Sequence, residues 1–433
     1  MRTYRELFRE REFTALFLFS AAQTAAQTVA GLALGVLVFR RTDSPLLAAL
    51  AMFGPALAQL VGAATVLSAA DRLPPRAALT GLGVLLALGT ALQAVPGLPA
   101  GALVPVLLGL GVAGAAGGGV RYGLLHELLS RDGYLLGRSA LGLASGPVQI
   151  GGFAIGGALV AALTPSGALL TAAALHLLSA GAARAGLRRR PPRAAGRPSV
   201  AATRRVNARL WSSAPRRRVY LALWVPNGLV VGAEALYVPY RPDAAGLLFA
   251  VGALGMLAGD VLVGRVLPAH RRERLAVPFC VLLAAPYLGF ALDPGLPVAV
   301  ALVAVATVGY GAGLLLQERL VALTPSELSG QALGLHGSGM LAMQGVGAAV
   351  AGGLAELTSV TTAMAGTAAA SLAVTALLAP GLRRSVLSVA PRATGPASVR
   401  SRPRRSDVRA RPSVDARVRR TVGARRPARR PGR

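Results

Sequence analysis

Two acidic side chains, Glu234 and Asp260, stand inside long apolar stretches, and chemistry is to be looked for around them first. An ionisable group in a bilayer core costs about 3 kcal/mol on insertion scales and usually marks function. Glu234 lies 16 residues beyond Arg218, with Trp224, Asn227 and Tyr237 near its helical face at offsets of ten, seven and three. The stripe suggests a wet cavity in which Glu234 takes a proton or a substrate. A structural hydrogen bond, or a place in the head-group zone, would account for the residue as well. On the first apolar run Ser20, Gln23, Thr24, Gln27 and Gly31 share a face without an acid. Interhelical hydrogen bonding, about 0.6 kcal/mol per contact, explains the glutamines as well as a solute site does.

Several signals of soluble enzymes fall away. Gly109, Gly111 and Gly114 fit G-x-G-x-x-G, but no strand precedes them and they lie inside an apolar run. His126-Glu127 lacks the second histidine of H-E-x-x-H, Ser130 standing there instead, and no Walker phosphate loop appears. His176 and His336 are isolated on apolar stretches and read as packing residues. The single cysteine, Cys280, excludes an internal disulfide and a cysteine metal cluster. No metal site, cofactor or enzymatic activity is expected.

The elements that must position these residues are set by solubility. A chain of 433 residues that is 54% hydrophobic, with a mean hydropathy of +0.56, cannot hide its apolar surface in one core. Glycine is abundant (53) and aromatics make up only 5%, the mixture expected where helix backbones approach closely in lipid. Stretches of about 20 apolar residues fall near 13–39, 45–70, 77–95, 99–120, 138–163, 165–187, 218–240, 243–267, 275–292, 296–317, 328–355 and 359–379. The first is too long for a signal-peptide core and reads as a retained helix. With the N-terminus placed in the cytoplasm, 43 of the 46 basic residues fall in cytoplasmic segments, and only Arg40, Arg41 and Arg241 lie outside. That partition supports twelve spans with both termini inside.

The two sets of six repeat in parallel. Leu124–Leu129 (LLHELL) matches Leu315–Leu320 (LLQERL), and Ala140–Leu143 matches Ala332–Leu335, at offsets of 191 and 192. Val61-Gly62-Ala63 with Asp71 stands opposite Val251-Gly252-Ala253 with Asp260. The expected organisation is an N-terminal half (1–187), an Arg/Pro-rich cytoplasmic linker (188–217), a C-terminal half (218–382) and a disordered Arg-rich tail (383–433) that faces anionic lipid head groups or solvent. Nucleic acid is not expected, because stacking aromatics are absent from the tail.

Between the second and third runs the chain reads Leu67-Ser-Ala-Ala-Asp71-Arg72-Leu-Pro-Pro-Arg76, close to G-x-L-a-D-r-x-G-r-[KR] with both glycines replaced. In the fifth, Gly142, Gly146, Pro147, Gly151 and Gly152 approximate G-x-x-x-G-P-x-x-G-G with one extra residue. With these motifs the chain resembles the major facilitator superfamily, most closely its bacterial twelve-helix drug-efflux branch, over residues 5–382. The resemblance implies an all-α fold of two pseudo-symmetric six-helix halves. It implies a monomeric secondary exporter in the cytoplasmic membrane that moves a small amphipathic or drug-like solute by alternating access, with protons as a possible partner. It also implies a central cavity lined by Gln23, Gln27, Asn227, Glu234, Tyr310 and Gln317, and a cytoplasmic gate at Asp71, Arg72 and Arg76. Asp260 and Arg265 join that gate if the eighth helix ends near Gly259, as the repeat implies. If the helix instead runs to Leu267, Asp260 lies inside it and needs a partner such as Arg265. The glycines and Pro147 form a hinge between the halves or a plain packing seam.

Overall fold

The computed structural model describes residues 4–65, 73–129, 131–191, 200–325 and 328–389. Among them the backbone forms helices and no strand. The long ones are α1 (Arg11–Thr42), α2 (Pro45–Thr65), α3 (Pro75–Gln93), α4 (Ala100–Leu128), α5 (Arg131–Ala162) and α6 (Pro165–Gly186). Then come α7 (Ala214–Ala235, continued by Tyr237–Tyr240) and α8 (Ala245–Val261, continued by a π-helical turn, Leu262–Val266). The last four are α9 (Ala269–Ala284 and a 3-10 stretch, Ala285–Leu292), α10 (Leu296–Val308 and Ala312–Ala322 joined by a 3-10 turn), α11 (Ser329–Leu357) and α12 (Val360–Val389). Pro45, Pro75 and Pro165 open their helices, where a missing N–H leaves no intrahelical bond unmade.

Among the described residues nine helices are long and apolar enough to cross a membrane. The apolar parts of α2, α4 and α5 are shorter, at Pro45–Gln59, Gly101–Ala115 and Pro147–Ala162. Yet α4 and α5 run 29 and 32 residues, past the roughly 20 that a bilayer needs. Large apolar side chains cover the outside, Leu178 at 65% and Leu377 at 80% exposure among them, as a lipid-facing surface requires. The chain is an all-α polytopic membrane protein.

The packing repeats at an interval of six helices. α1 packs on α5 and α6, α2 on α4, and α3 on α6; correspondingly α7 packs on α11 and α12, α8 on α10, and α9 on α12. The halves meet where α2 lies on α11 and α5 on α8. At these crossings backbone touches backbone. A Cβ on Gly246 would lie 2.6 Å from the Cα of Gly157, and one on Gly352 would lie 2.6 Å from the Cα of Leu46.

The buried core shows which end of the bundle is closed. One cluster joins both halves at the end away from the linker, with Val36, Leu37 and Val160 on one side and Leu236, Leu248 and Ala355 on the other. At the linker end the core divides. Leu7, Phe13, Leu124 and Leu187 pack within the first half, whereas Tyr220, Phe279, Leu320 and Leu382 pack within the second. Among the described residues no core cluster joins the halves there.

Three boundaries differ from those expected. α4 continues to Leu128 and α5 begins at Arg131, because polar residues such as Arg121 and Glu127 are compatible with helix but not with hydropathy. α12 runs to Val389, beyond the end expected for the last span. The linker contains a helix, Val200–Ser212, free of Gly and Pro, with Leu210 fully buried. Its Trp211 stacks on Trp224 at 5.5 Å, and Arg216 donates to the carbonyls of Leu323 and Arg209. The other end of the linker is held by Glu12 of α1, which accepts from the Arg188 N–H at 2.8 Å and pairs with Arg190 at 2.6 Å. Residues 390–433, most of the expected tail, lie outside the described residues.

Gly246→Leu is expected to destabilise the detergent-solubilised protein by about 2 kcal/mol, because its side chain meets backbone that cannot yield. Gly353→Ala, where an added Cβ meets nothing within 4 Å, is the matched control and should shift the thermal midpoint little. Equal midpoints for the two variants would contradict the close approach.

Candidate functional site

Two chambers lie in the heart of the bundle. One, about 440 Å³, is bordered mainly by α7, α8, α10 and α11, and its polar lining is Asn227, Glu234, Tyr237, Asp260, Tyr310, Gln317, Gln344 and Gln149. The other, about 320 Å³, lies among α1 to α6 and is lined by Gln27, Gln59, Thr90, Gln93, Gln149 and His176. Phe53, Gln149 and Phe153 border both, so the chambers adjoin where the halves meet. Phe153 of α5 stacks on Phe249 of α8 with centroids 4.7 Å apart.

Glu234 is held by phenols from two other helices, α9 and α10. The Tyr310 hydroxyl donates to its Oε1 at 2.9 Å, and the Tyr287 hydroxyl lies 3.4 Å from the same atom. Tyr237 and Tyr287 are hydrogen-bonded to each other. A phenol has one proton, so a Tyr287 that donates to Glu234 must accept from Tyr237, and the four groups form a directed chain. The larger chamber contains two acids, Glu234 and Asp260, and no basic lining residue. Such a site offers favourable Coulomb interaction to a cation and none to an anion.

Of the expected lining, Gln27 borders the smaller chamber, and Asn227, Glu234, Tyr310 and Gln317 border the larger. Gln23 faces elsewhere. Its Oε1 accepts from His176 Nδ1 at 2.6 Å and from Ser179 at 3.2 Å, tying α1 to α6, and only His176 of the three borders a chamber. Trp224 is also away from the stripe. At about 100° per residue, an offset of ten leaves it about 80° round the helix from Glu234, where its indole donates to the His336 carbonyl.

α8 continues past Gly259 to Val266, so Asp260 stands within the helix and borders the larger chamber. Arg265 is exposed, and among the described residues no ion pair joins the two. Asp71 and Arg72 lie outside the described residues. Arg76 is on the first turn of α3, its Nε buried and without a hydrogen-bond partner. In α5, Gly142 and Gly146 lie on the helix, Pro147 is exposed, and a Cβ on Gly151 would meet nothing within 4 Å. Gly152 packs on Thr28 of α1, within its own half; the contact between halves is made one turn further on, at Gly157.

Sequence reasoning passed over Gln59, Gln93, Gln149, Tyr287 and Gln344. They lie on five different helices with few polar residues around each, so no spacing along the chain groups them. Gln344 Nε2 donates to Asn227 Oδ1 at 3.3 Å across the α7–α11 contact.

No protein-family model matches the sequence, and no curated protein matches it. Solved structures do match the fold. A POT family transporter in complex with 5-aminolevulinic acid superposes with a TM-score of 0.69 at 11% identity, over 87% of this chain and 96% of that one. The chain has the major facilitator fold. A bacterial homologue of the human lysosomal transporter Spinster, inward-facing and unoccupied, gives 0.63 at 15% identity over 88% and 97% of the two chains. The nucleoside transporter NupG gives 0.67 at 12% over 86% and 99%.

Tyr310→Phe removes a donor to Glu234 and is expected to cost about 1–2 kcal/mol of unfolding free energy. In a Glu234→Gln background the same change should cost clearly less, and the difference is the coupling of the pair. Thermal denaturation of the four proteins in detergent measures it. Strict additivity would show that the pair carries no specific energy.

Proposed function

We propose that this chain is a secondary transporter that exports a small cationic or amphipathic solute across a bacterial cytoplasmic membrane, in exchange for protons. The carrying observation is the pair of acids, with no base, on the chamber where the two halves meet. Two further points support the reading: the fold, and the arginine asymmetry, which favours a cytoplasmic linker and cytoplasmic termini. Transport proteins with the same fold provide the precedent, and nothing in the chambers calls for a cofactor or an enzymatic step.

In the proposed cycle Glu234 as carboxylate takes the cation from the cytoplasmic side. The halves then rock, the outer side opens, and a proton replaces the cation on the carboxyl group. The protonated chain returns and releases the proton inward, so charge at Glu234 is exchanged one for one. Asp260, inside α8, borders the same chamber, and Asp71, Arg72 and Arg76 form the proposed cytoplasmic gate. The Arg-rich tail is proposed to rest on anionic lipid head groups, and the working unit is proposed to be a monomer.

In a pump-deficient host the wild type should lower the steady accumulation of tetraphenylphosphonium and amine-bearing drugs several-fold relative to an empty vector. Glu234→Gln should return it to the vector level. Equal accumulation with wild type and vector across a broad panel would sink export. Vesicle uptake with and without an imposed proton gradient separates the exchanger from an importer or uniporter of the same fold. In a Cys280→Ser background, cysteines at Ser199 and Ser413 should react with an impermeant thiol reagent from the side opposite to a cysteine at Gly97. Labelling of Ser199 and Ser413 from different sides would overturn the topology.

A further inference from the structure

The smaller chamber has a chemistry of its own. Carboxamides from four helices border it, Gln27 of α1, Gln59 of α2, Gln93 of α3 and Gln149 of α5, and no acid or arginine does. None of the four is hydrogen-bonded among the described residues. Gln93 is the most confined: it is 2% exposed, and its Nε2 is buried without a partner. Buried polar side chains are normally paired, and one left unpaired costs about 1–3 kcal/mol. Gln59 and Gln149 are half-buried and Gln27 is exposed, yet none of the four bonds to another or to a neighbouring helix, so helix association does not explain them. Gln23, by contrast, is satisfied by His176 and Ser179 a turn away, so this bundle does pair its structural amides.

A carboxamide presents a donor and an acceptor side by side and carries no charge. Its complement is a neutral group that also offers both, such as a nucleobase edge, an amide or a set of sugar hydroxyls. A greasy cation would leave all four amides unpaired. Gln149 and the two phenylalanines that border both chambers place this amide-lined space beside the one holding Glu234 and Asp260, within reach of a single solute.

We infer that the amide-lined chamber of the first half is a substrate subsite for a neutral group rich in hydrogen-bond donors and acceptors, joined in the transported solute to an amine that pairs with Glu234. This rests on the transport reading above and narrows its substrate class from hydrophobic cations to amines carrying a nucleoside-like, amide or polyhydroxyl body.

The test is equilibrium binding to the full chain in lipid nanodiscs, by calorimetry, with two probes. Puromycin is an amine joined to a nucleoside, and tetraphenylphosphonium is a cation with no hydrogen-bonding group. Gln59→Met and Gln93→Met keep side-chain length and remove the amide. Each should weaken puromycin tenfold or more and leave tetraphenylphosphonium within twofold, whereas Glu234→Gln should weaken both. Gln93→Met should also raise the thermal midpoint of the ligand-free protein, because it removes an unpaired buried group; a structural amide would lower it. Puromycin affinity within twofold of wild type in both methionine variants would overturn the subsite, as would a parallel loss of both probes or a wild type that does not prefer puromycin. These results leave the cation site standing. If Glu234→Gln leaves tetraphenylphosphonium binding unchanged, or the wild type binds neither probe, the transport reading falls and the subsite with it.

Discussion

The two halves of this protein meet where helix backbones touch at glycine, beside an apolar core that both halves share. In lipid there is no hydrophobic drive to bring helices together, so association depends on van der Waals contact and on polar groups that find partners. At the α5–α8 crossing Gly157 and Gly246 leave no room for a Cβ, and Gly352 on α11 admits the backbone of Leu46 on α2. The same device holds α7 to α11, where Gly228 lies against the Met343 carbonyl and Gly232 against that of Gly347. Contacts of this kind are close but contain few interlocking side chains.

With the halves held at the far end, the polar residues along the inner helices have no apolar partner to press against, and the chambers remain. Glu234 sits on α7 between Ala233 and Leu236 of the shared core. Its hydroxyl donors come from α9 and α10, so the position of the carboxyl group depends on the packing of the second half alone. The first half contributes amides and aromatic surface but no charge to the chambers. The division of labour is therefore chemical as well as geometric, since one half fixes charge and the other offers neutral hydrogen bonds.

Much of this was legible in the sequence. Hydropathy located the long helices because the bilayer fixes their length, nine of them qualifying as spans among the described residues, and Glu234 was visible because an acid inside an apolar run is rare. The amides were not legible as a set: Gln59, Gln93 and Gln149 lie on three helices, each one polar residue among many apolar ones, and only tertiary packing brings them together. Trp224 was misplaced because a stripe drawn over ten residues accumulates angular error. Pro226 also stands inside α7, and its carbonyl is taken by Ser371 of α12. For Asp260, length and internal repeat gave different helix ends, and the π-helical turn at Leu262–Val266 extends the helix beyond the point where its counterpart was expected to stop. The linker helix escaped notice because thirteen residues with three arginines have too little hydropathy to register.

The connection between the halves is anchored at both ends. Glu12 of α1 clamps its beginning through Arg188 and Arg190, and Trp211, laid flat on Trp224, fixes its end to the second half. Nine residues, 191–199, separate the carboxylate clamp from the start of the linker helix, and a chain of that length spans at most about 30 Å, to which the helix as far as Trp211 adds about 16 Å. The connection is thus a leash of fixed length. The linker-end faces of α1 and α7 can therefore separate only until this leash is taut, and further separation has to break the carboxylate clamp or peel the indole stack.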